Sequence, residues 1–188
     1  MALLWKIRNK GNMDQSTELW IRPIRDQLST LRANGPTGRQ LNQILAGESP
    51  NGLHLAVFIE PYLSFIFEGK KTIESRFNVR KQAPFEQVSA GDVLVLKRSG
   101  GPVCGICLIS NVWFYRLNPD TWREIESFAA ALCMDESPFW EKRKASSFAT
   151  LMRIEDAIKI PDIFIDKVDL RSWVVLRASC NLGQASLF

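Results

Sequence analysis

The chain of 188 residues is poor in metal-binding side chains, with one histidine, His54, and four cysteines, Cys104, Cys107, Cys133 and Cys180. Cys104 and Cys107 form a CxxC, but a structural zinc site needs a second ligand pair at suitable spacing, and a lone histidine does not supply one. The pair also falls in the apolar run 103–109, where strand alternation would send the two sulfurs to opposite faces. Buried, reduced thiols are expected, with no metal and no cofactor. His54 is read as structural. Long hydrophobic runs are missing too. The apolar start of the chain is broken by Lys6 and Arg8, and no stretch approaches the ~20 residues of a membrane span. The expectation is a cytoplasmic protein with no membrane partner. No Ser-His-Asp set, paired metal carboxylates, phosphate-binding glycine loop or internal repeat is visible, which excludes the corresponding enzyme signatures.

What is present is an ordinary globular composition, 46% hydrophobic and 23% charged, enough for a core in one domain or one domain with a folded extension. The net charge of +4 favours anionic partners without specifying one. Its distribution says more. Residues 68–98 carry seven Lys/Arg against four acids, whereas residues 99–188 carry ten against eleven. The positive field therefore sits in the front half.

Apolar residues at three- and four-residue spacing (Leu19, Trp20, Ile24, Leu28, Leu31) predict an amphipathic helix over 16–33 that kinks at Pro23 or starts near it. A second helix, capped by Thr37 and carrying Leu41, Ile44 and Leu45, ends at Gly47. Residues 1–50 form a helical extension, with the boundary at Ser49-Pro50-Asn51-Gly52, and residues 51–188 form the main domain. After that boundary the pattern becomes strand-like. Strands are expected at 53–59, 72–77, 93–96 and 103–112, and later at 147–154, 156–160 and 172–176, with Pro161 closing the sixth. Helices are expected at 62–68, ended by Gly69, and at 119–134, capped by Asn118. Ala90-Gly91-Asp92 and Ser99-Gly100-Gly101-Pro102 are turns. Short mixed strands with helices between them give an α+β barrel.

The chemistry concentrates after the short helix. Gly69 lets the chain leave that helix in a left-handed conformation, Lys71 opens the next strand, and alternation puts Glu74 and Arg76 on one face of it. Such a face suits a nucleotide, with Lys71 or Arg76 for phosphate and the Glu74 carboxylate for an amine or a ribose hydroxyl. The same residues also suit an internal ion pair at a barrel mouth. Lys97-Arg98 and Arg80-Lys81 extend the positive surface, and such pairs are most often solvated. Phe77, Trp113 and Tyr115 are core before they are stacking platforms. Lys71 with Glu74 is the candidate general acid/base pair, and Tyr62 or Ser99 stands as a helper.

The segment Gly69-x-Lys71-x-x-Glu74-x-Arg76 resembles the GxKxxExR signature of the ASCH superfamily. Pro61 with its aromatic-rich helix, the Gly91-Asp92 turn and the strand from Asp169 to Leu176 agree in order, so the resemblance covers roughly 53–177. It implies a small PUA-like mixed barrel flanked by helices. It also implies binding of RNA or a modified nucleotide at Gly69, Lys71, Glu74, Arg76, Lys97 and Arg98. Other relatives resemble ribonucleases or amidohydrolases acting on acetylated cytidine, which makes a hydrolase the alternative. In the amidohydrolase pattern a nucleophilic threonine stands three places after the motif lysine, and here that place is Glu74. A protein-interaction role for the N-terminal helices is the second alternative. Oligomeric state is not legible.

Overall fold

A computed structural model of the chain describes residues 15–134, 140–167 and 170–180. Asp169, at the start of the last strand-like segment, lies outside the described residues. The first helix, α1 (Gln15–Thr30), continues through Pro23. A proline inside a helix costs about 3 kcal/mol. Trp20, Ile21, Ile24 and Leu28, all but fully buried against the sheet, offset it at about 1.5–3 kcal/mol each, while Pro23 and Leu19 sit on the solvent side. The second helix, α2 (Gly35–Ala46), ends at Gly47 with a left-handed φ of 79°. Its start departs from expectation. Asn34 is the N-cap, and Thr37 lies inside the helix, its N–H donating to Asp156 Oδ2 at 2.8 Å and its hydroxyl to the Asp156 carbonyl at 2.9 Å. The cap comes from across the fold.

The remaining elements are β1 (Leu53–Phe58), α3 (Tyr62–Phe67), β2 (Ile73–Asn78), β3 (Val93–Arg98), β4 (Val103–Arg116), α4 (Pro119–Glu126), α5 (Ala129–Leu132), β5 (Phe148–Ile163) and β6 (Trp173–Arg177). The six strands form one sheet in the order β2-β5-β4-β3-β1-β6. The β1–β3 pair is parallel and the other neighbours are antiparallel. This is a mixed half-barrel with flanking helices, the α+β PUA-like class expected. Strands β1 and β3 are covered on both faces, which is why they read as continuous apolar runs. Leu53, Leu55, Val93 and Val95 join α1 and α2 in one cluster, and Ala56, Phe58, Leu94 and Leu96 join α3 in a second. The apolar face of the N-terminal helices is thus buried on the sheet. A third cluster, around Ile73, Tyr115, Ile125, Leu132 and Leu151, lies under α4 and α5. Tyr115 is core, as expected, with Phe77 and Trp113 packed at its margin.

Three local expectations are corrected. The helix over 119–134 is broken into α4 and α5. Asn118 caps α4 as expected, but the Ser127 hydroxyl donates back to the Glu124 carbonyl at 2.6 Å, a local bond that competes with helix continuation. The two late strands are one, β5, which bends at Asp156 (φ 48°) and carries Pro161 at an exposed position. The two CxxC thiols share a face. A register shift between Val103 and Gly105 resets the alternation, so Cys104 and Cys107 both enter the second cluster, as free thiols.

The Gly91-Asp92 turn ties the barrel floor. Asp92 accepts from Gly52 N (2.6 Å), Ser89 N (2.8 Å) and Ser179 Oγ (2.7 Å), and lies 2.9 Å from His54 Nε2. His54 is structural.

Candidate functional site

The motif begins where α3 stops. Gly69, at φ +70°, turns the chain, and the Lys70 and Lys71 amides both donate to the Phe65 carbonyl at 2.9 and 3.0 Å. The next residue bonds both ways: Thr72 N donates to the Ala131 carbonyl of α5, and Thr72 O accepts from Ile154 N of β5. The motif is thus tied at its entrance to a helix and a strand.

Lys71 is 2% exposed. Its ammonium donates to the carbonyls of Ile73 (2.8 Å) and Leu132 (3.1 Å) and lies 3.4 Å from Glu74 Oε2, above the Tyr62 ring. Burial pulls its pKa below the usual lysine range, and the Glu74 carboxylate offsets that only in part. Glu74 is 5% exposed and faces two cations, with its other oxygen 2.9 Å from Arg76 Nε. The Arg76 Nε–H makes no hydrogen bond despite that distance, so the contact is an ion pair without directional bonding. Burial, with the Glu74 charge second, raises the Cys107 thiol.

Arg76 has a role that alternation alone could not show. Strands β2 and β6 are the free edges of the sheet, and Arg76 reaches from β2 to the far side, donating from Nη2 to the Val57 carbonyl of β1 (3.1 Å) and from Nη1 to the Ser172 carbonyl at the start of β6 (3.2 Å). Its guanidinium carbon sits 5.2 Å from the Phe58 ring centroid and 5.6 Å from that of Trp173. One side chain latches the open seam of the half-barrel by hydrogen bonds and cation–π contacts. The internal ion pair expected from the sequence thus describes the contacts of these residues.

Lys71, Glu74 and Arg76 are brought together, while Gly69 stays exposed at the turn before them. Lys97 is not part of that cluster. It is nearly buried beside Val57, which packs on the helix-covered face, and its ammonium donates to the carbonyls of Gly101 (2.6 Å) and Arg98 (3.1 Å). It ties the β3–β4 turn. Arg98 is half-exposed, pairs with Glu60 at 3.3 Å, and lines a cavity of about 280 Å³ with Phe67, Cys104 and Lys159, whose lining includes none of Lys71, Glu74 and Arg76. The alternation of β3 separates the two side chains, which adjacency in sequence concealed. Ser99 sits in the exposed turn beyond them.

Two polar side chains near the latch carry no charge and gave no signal in the sequence. Thr150 pairs directly opposite Arg76 in the β2–β5 register, and Trp173 lies against its guanidinium. Both are buried, at 0% and 5% exposure, and neither Thr150 Oγ1 nor Trp173 Nε1 has a hydrogen-bond partner. Among the described residues no helix is long and apolar enough to cross a membrane.

The mixed six-stranded half-barrel with flanking helices is of the PUA-like class. The ASCH domain model matches residues 58–157, just over half of the chain, and the protein belongs to the ASCH-domain family. The ASCH protein of Zymomonas mobilis is similar in structure over 67% of this chain and 88% of its own, at 14% identity and a TM-score of 0.53. A point variant of that protein covers 72% and 98% at 14% identity and a TM-score of 0.48. The N-terminal domain of Staphylothermus marinus McrB covers 64% and 79% at 14% identity and 0.36. At these identities the likeness concerns the fold. No curated protein matches the sequence.

Proposed function

We propose that the latched seam around Lys71, Glu74 and Arg76 binds RNA or a modified nucleotide. The observation that carries this reading is a buried charge surplus. Two cations share one carboxylate in a nearly sealed setting, and buried charges are ordinarily balanced. An electron-rich ligand, a phosphate or a base carbonyl, supplies the missing negative charge. Phe58, Tyr62 and Trp173 around the cations provide the aromatic surroundings in which a base is held. Lys71→Met keeps the length of the side chain and removes its charge. It is expected to weaken binding of fluorescein-labelled single-stranded RNA about tenfold and to flatten the salt dependence by about one ion. Equal affinity and equal salt slope in wild type and variant would count against the reading.

A second reading has one observation in its favour. A lysine whose pKa is drawn down by burial, 3.4 Å from a carboxylate, is equipped to take a proton, as a hydrolase acting on RNA or on an acylated nucleoside requires. Purified protein that leaves both substrates intact in a turnover assay would exclude it for them.

A further inference from the structure

Thr150 Oγ1 and Trp173 Nε1 are buried and have no hydrogen-bond partner, Thr150 directly across from Arg76 in the strand register and Trp173 with its ring 5.6 Å from the Arg76 guanidinium, while the Arg76 Nε–H faces the Glu74 carboxylate without a directional bond. Hydrogen-bonding groups are rarely left this way in a folded interior, and a cluster of them needs an explanation. The neighbouring His54 does not supply one. Its ring meets Trp173 at 5.5 Å between centroids, tilted by 41°, while His54 Nδ1 is itself without a partner. Ser75 Oγ is also unpartnered, but Ser75 pairs with Leu151 on the side of the third cluster.

Two of the three groups are donors only. An indole N–H and a guanidinium N–H can only donate, and a threonine hydroxyl has a proton to give. Donors on neighbouring side chains are best answered by an acceptor with two lone pairs. A carbonyl oxygen has two, and a ring nitrogen has one. We infer that Thr150 and Trp173 are ligand-reading residues that, with Arg76, select a base bearing a ring carbonyl, such as uracil, over adenine, which has none. This rests on the nucleotide-binding reading above. It adds two residues outside the motif and a direction of base preference.

The test uses one isosteric variant, which removes a hydroxyl and leaves the shape, and one that removes the indole N–H with part of the ring. Thr150→Val and Trp173→Phe are measured in the full chain for thermal stability and for affinity toward labelled oligouridylate and oligoadenylate. Removing an unpartnered buried polar group is neutral or stabilising, so Thr150→Val is expected to melt at or above the wild-type temperature, whereas Trp173→Phe also empties part of a buried ring's volume and is expected to melt lower while remaining folded. Wild type is expected to prefer oligouridylate, and each variant to lose about tenfold affinity for it with little change toward oligoadenylate, because a site built to hydrogen-bond a group discriminates through that bond. Folded variants that bind both probes as wild type does would overturn the inference and leave the nucleotide-binding reading standing. A wild type that binds neither probe would overturn both.

Discussion

The two ends of strand β1 face different physics. Leu53 and Leu55 lie beneath α1 and α2 in a cluster of aliphatic side chains and Trp20. Phe58, at the other end, stacks on the Arg76 guanidinium in a neighbourhood that holds a surplus charge and two buried side chains, Thr150 and Trp173, without a hydrogen-bond partner. The first region gains stability from every side chain it buries. The second buries polar groups at a net cost. A fold that carries the second must be held by the first, and the helices preceding the barrel contribute to that through Trp20, Ile21, Ile24, Leu28, Leu41 and Ile44. Local strain and unmet polar groups tend to gather where function is, and stability elsewhere compensates.

Neutralising Glu74 tests the charged region most severely. Glu74→Gln leaves two nearly buried cations without their shared counter-charge and is expected to cost about 3–5 kcal/mol of stability. The loss should shrink as pH rises. The folded pKa of Lys71 is already below its unfolded value, so the unfolded chain binds the extra proton and stability climbs with pH up to the unfolded lysine value. Denaturant melts of wild type and variant at neutral and alkaline pH check both. A variant as stable as wild type would mean that the two cations are not held by the carboxylate.

The apolar region is expected to respond differently. Leu41 is fully buried in the helix-covered cluster, and Leu41→Ala should cost about 3 kcal/mol with no dependence on pH, while the folded fraction keeps its affinity for RNA. Chemical denaturation together with a binding titration below the melting temperature separates these. An affinity loss in fully folded Leu41→Ala protein would show that the two regions are coupled, contrary to the contrast drawn above.

How far each region was legible in the chain follows from the same contrast. The apolar clusters arise from periodicity, which repeats over many residues, so both N-terminal helices, the β3–β4 hairpin and the left-handed ends at Gly47 and Gly69 could be anticipated. The breaks depend on single residues acting at a distance or against the local pattern. Asp156 caps a helix 119 residues earlier, and the bulge at Cys104 reverses the strand face that strict alternation assigns. Within the site, charge and alternation on β2 brought Lys71, Glu74 and Arg76 into view. That Arg76 is a latch depended on knowing that β2 and β6 are the edges of one sheet. Thr150 and Trp173 depended on register. Nothing in a run such as Ala149-Thr150-Leu151 marks a hydroxyl that will face a guanidinium.

The smallest of the expected effects falls on a buried carboxylate whose oxygens are fully answered. Asp92 is as buried as Lys71, yet its oxygens meet Gly52, Ser89, Ser179 and His54. Burial alone would raise its pKa. The hydrogen bond and charge of His54, with the bonds from Gly52 and Ser179, outweigh that and hold it below the usual carboxylate range. A depressed folded pKa contributes stability above the unfolded value that is lost as pH falls through the folded one. The wild-type protein should therefore lose this contribution below roughly pH 4, the unfolded aspartate range. Asp92→Asn should cost about 1–3 kcal/mol at neutral pH, and the gap between the two proteins should narrow in acid. If the gap stays constant from pH 7 to pH 3, the charge on Asp92 contributes nothing, and the difference between an answered carboxylate and the unanswered groups beside Arg76 would not explain the contrast between the two ends of β1.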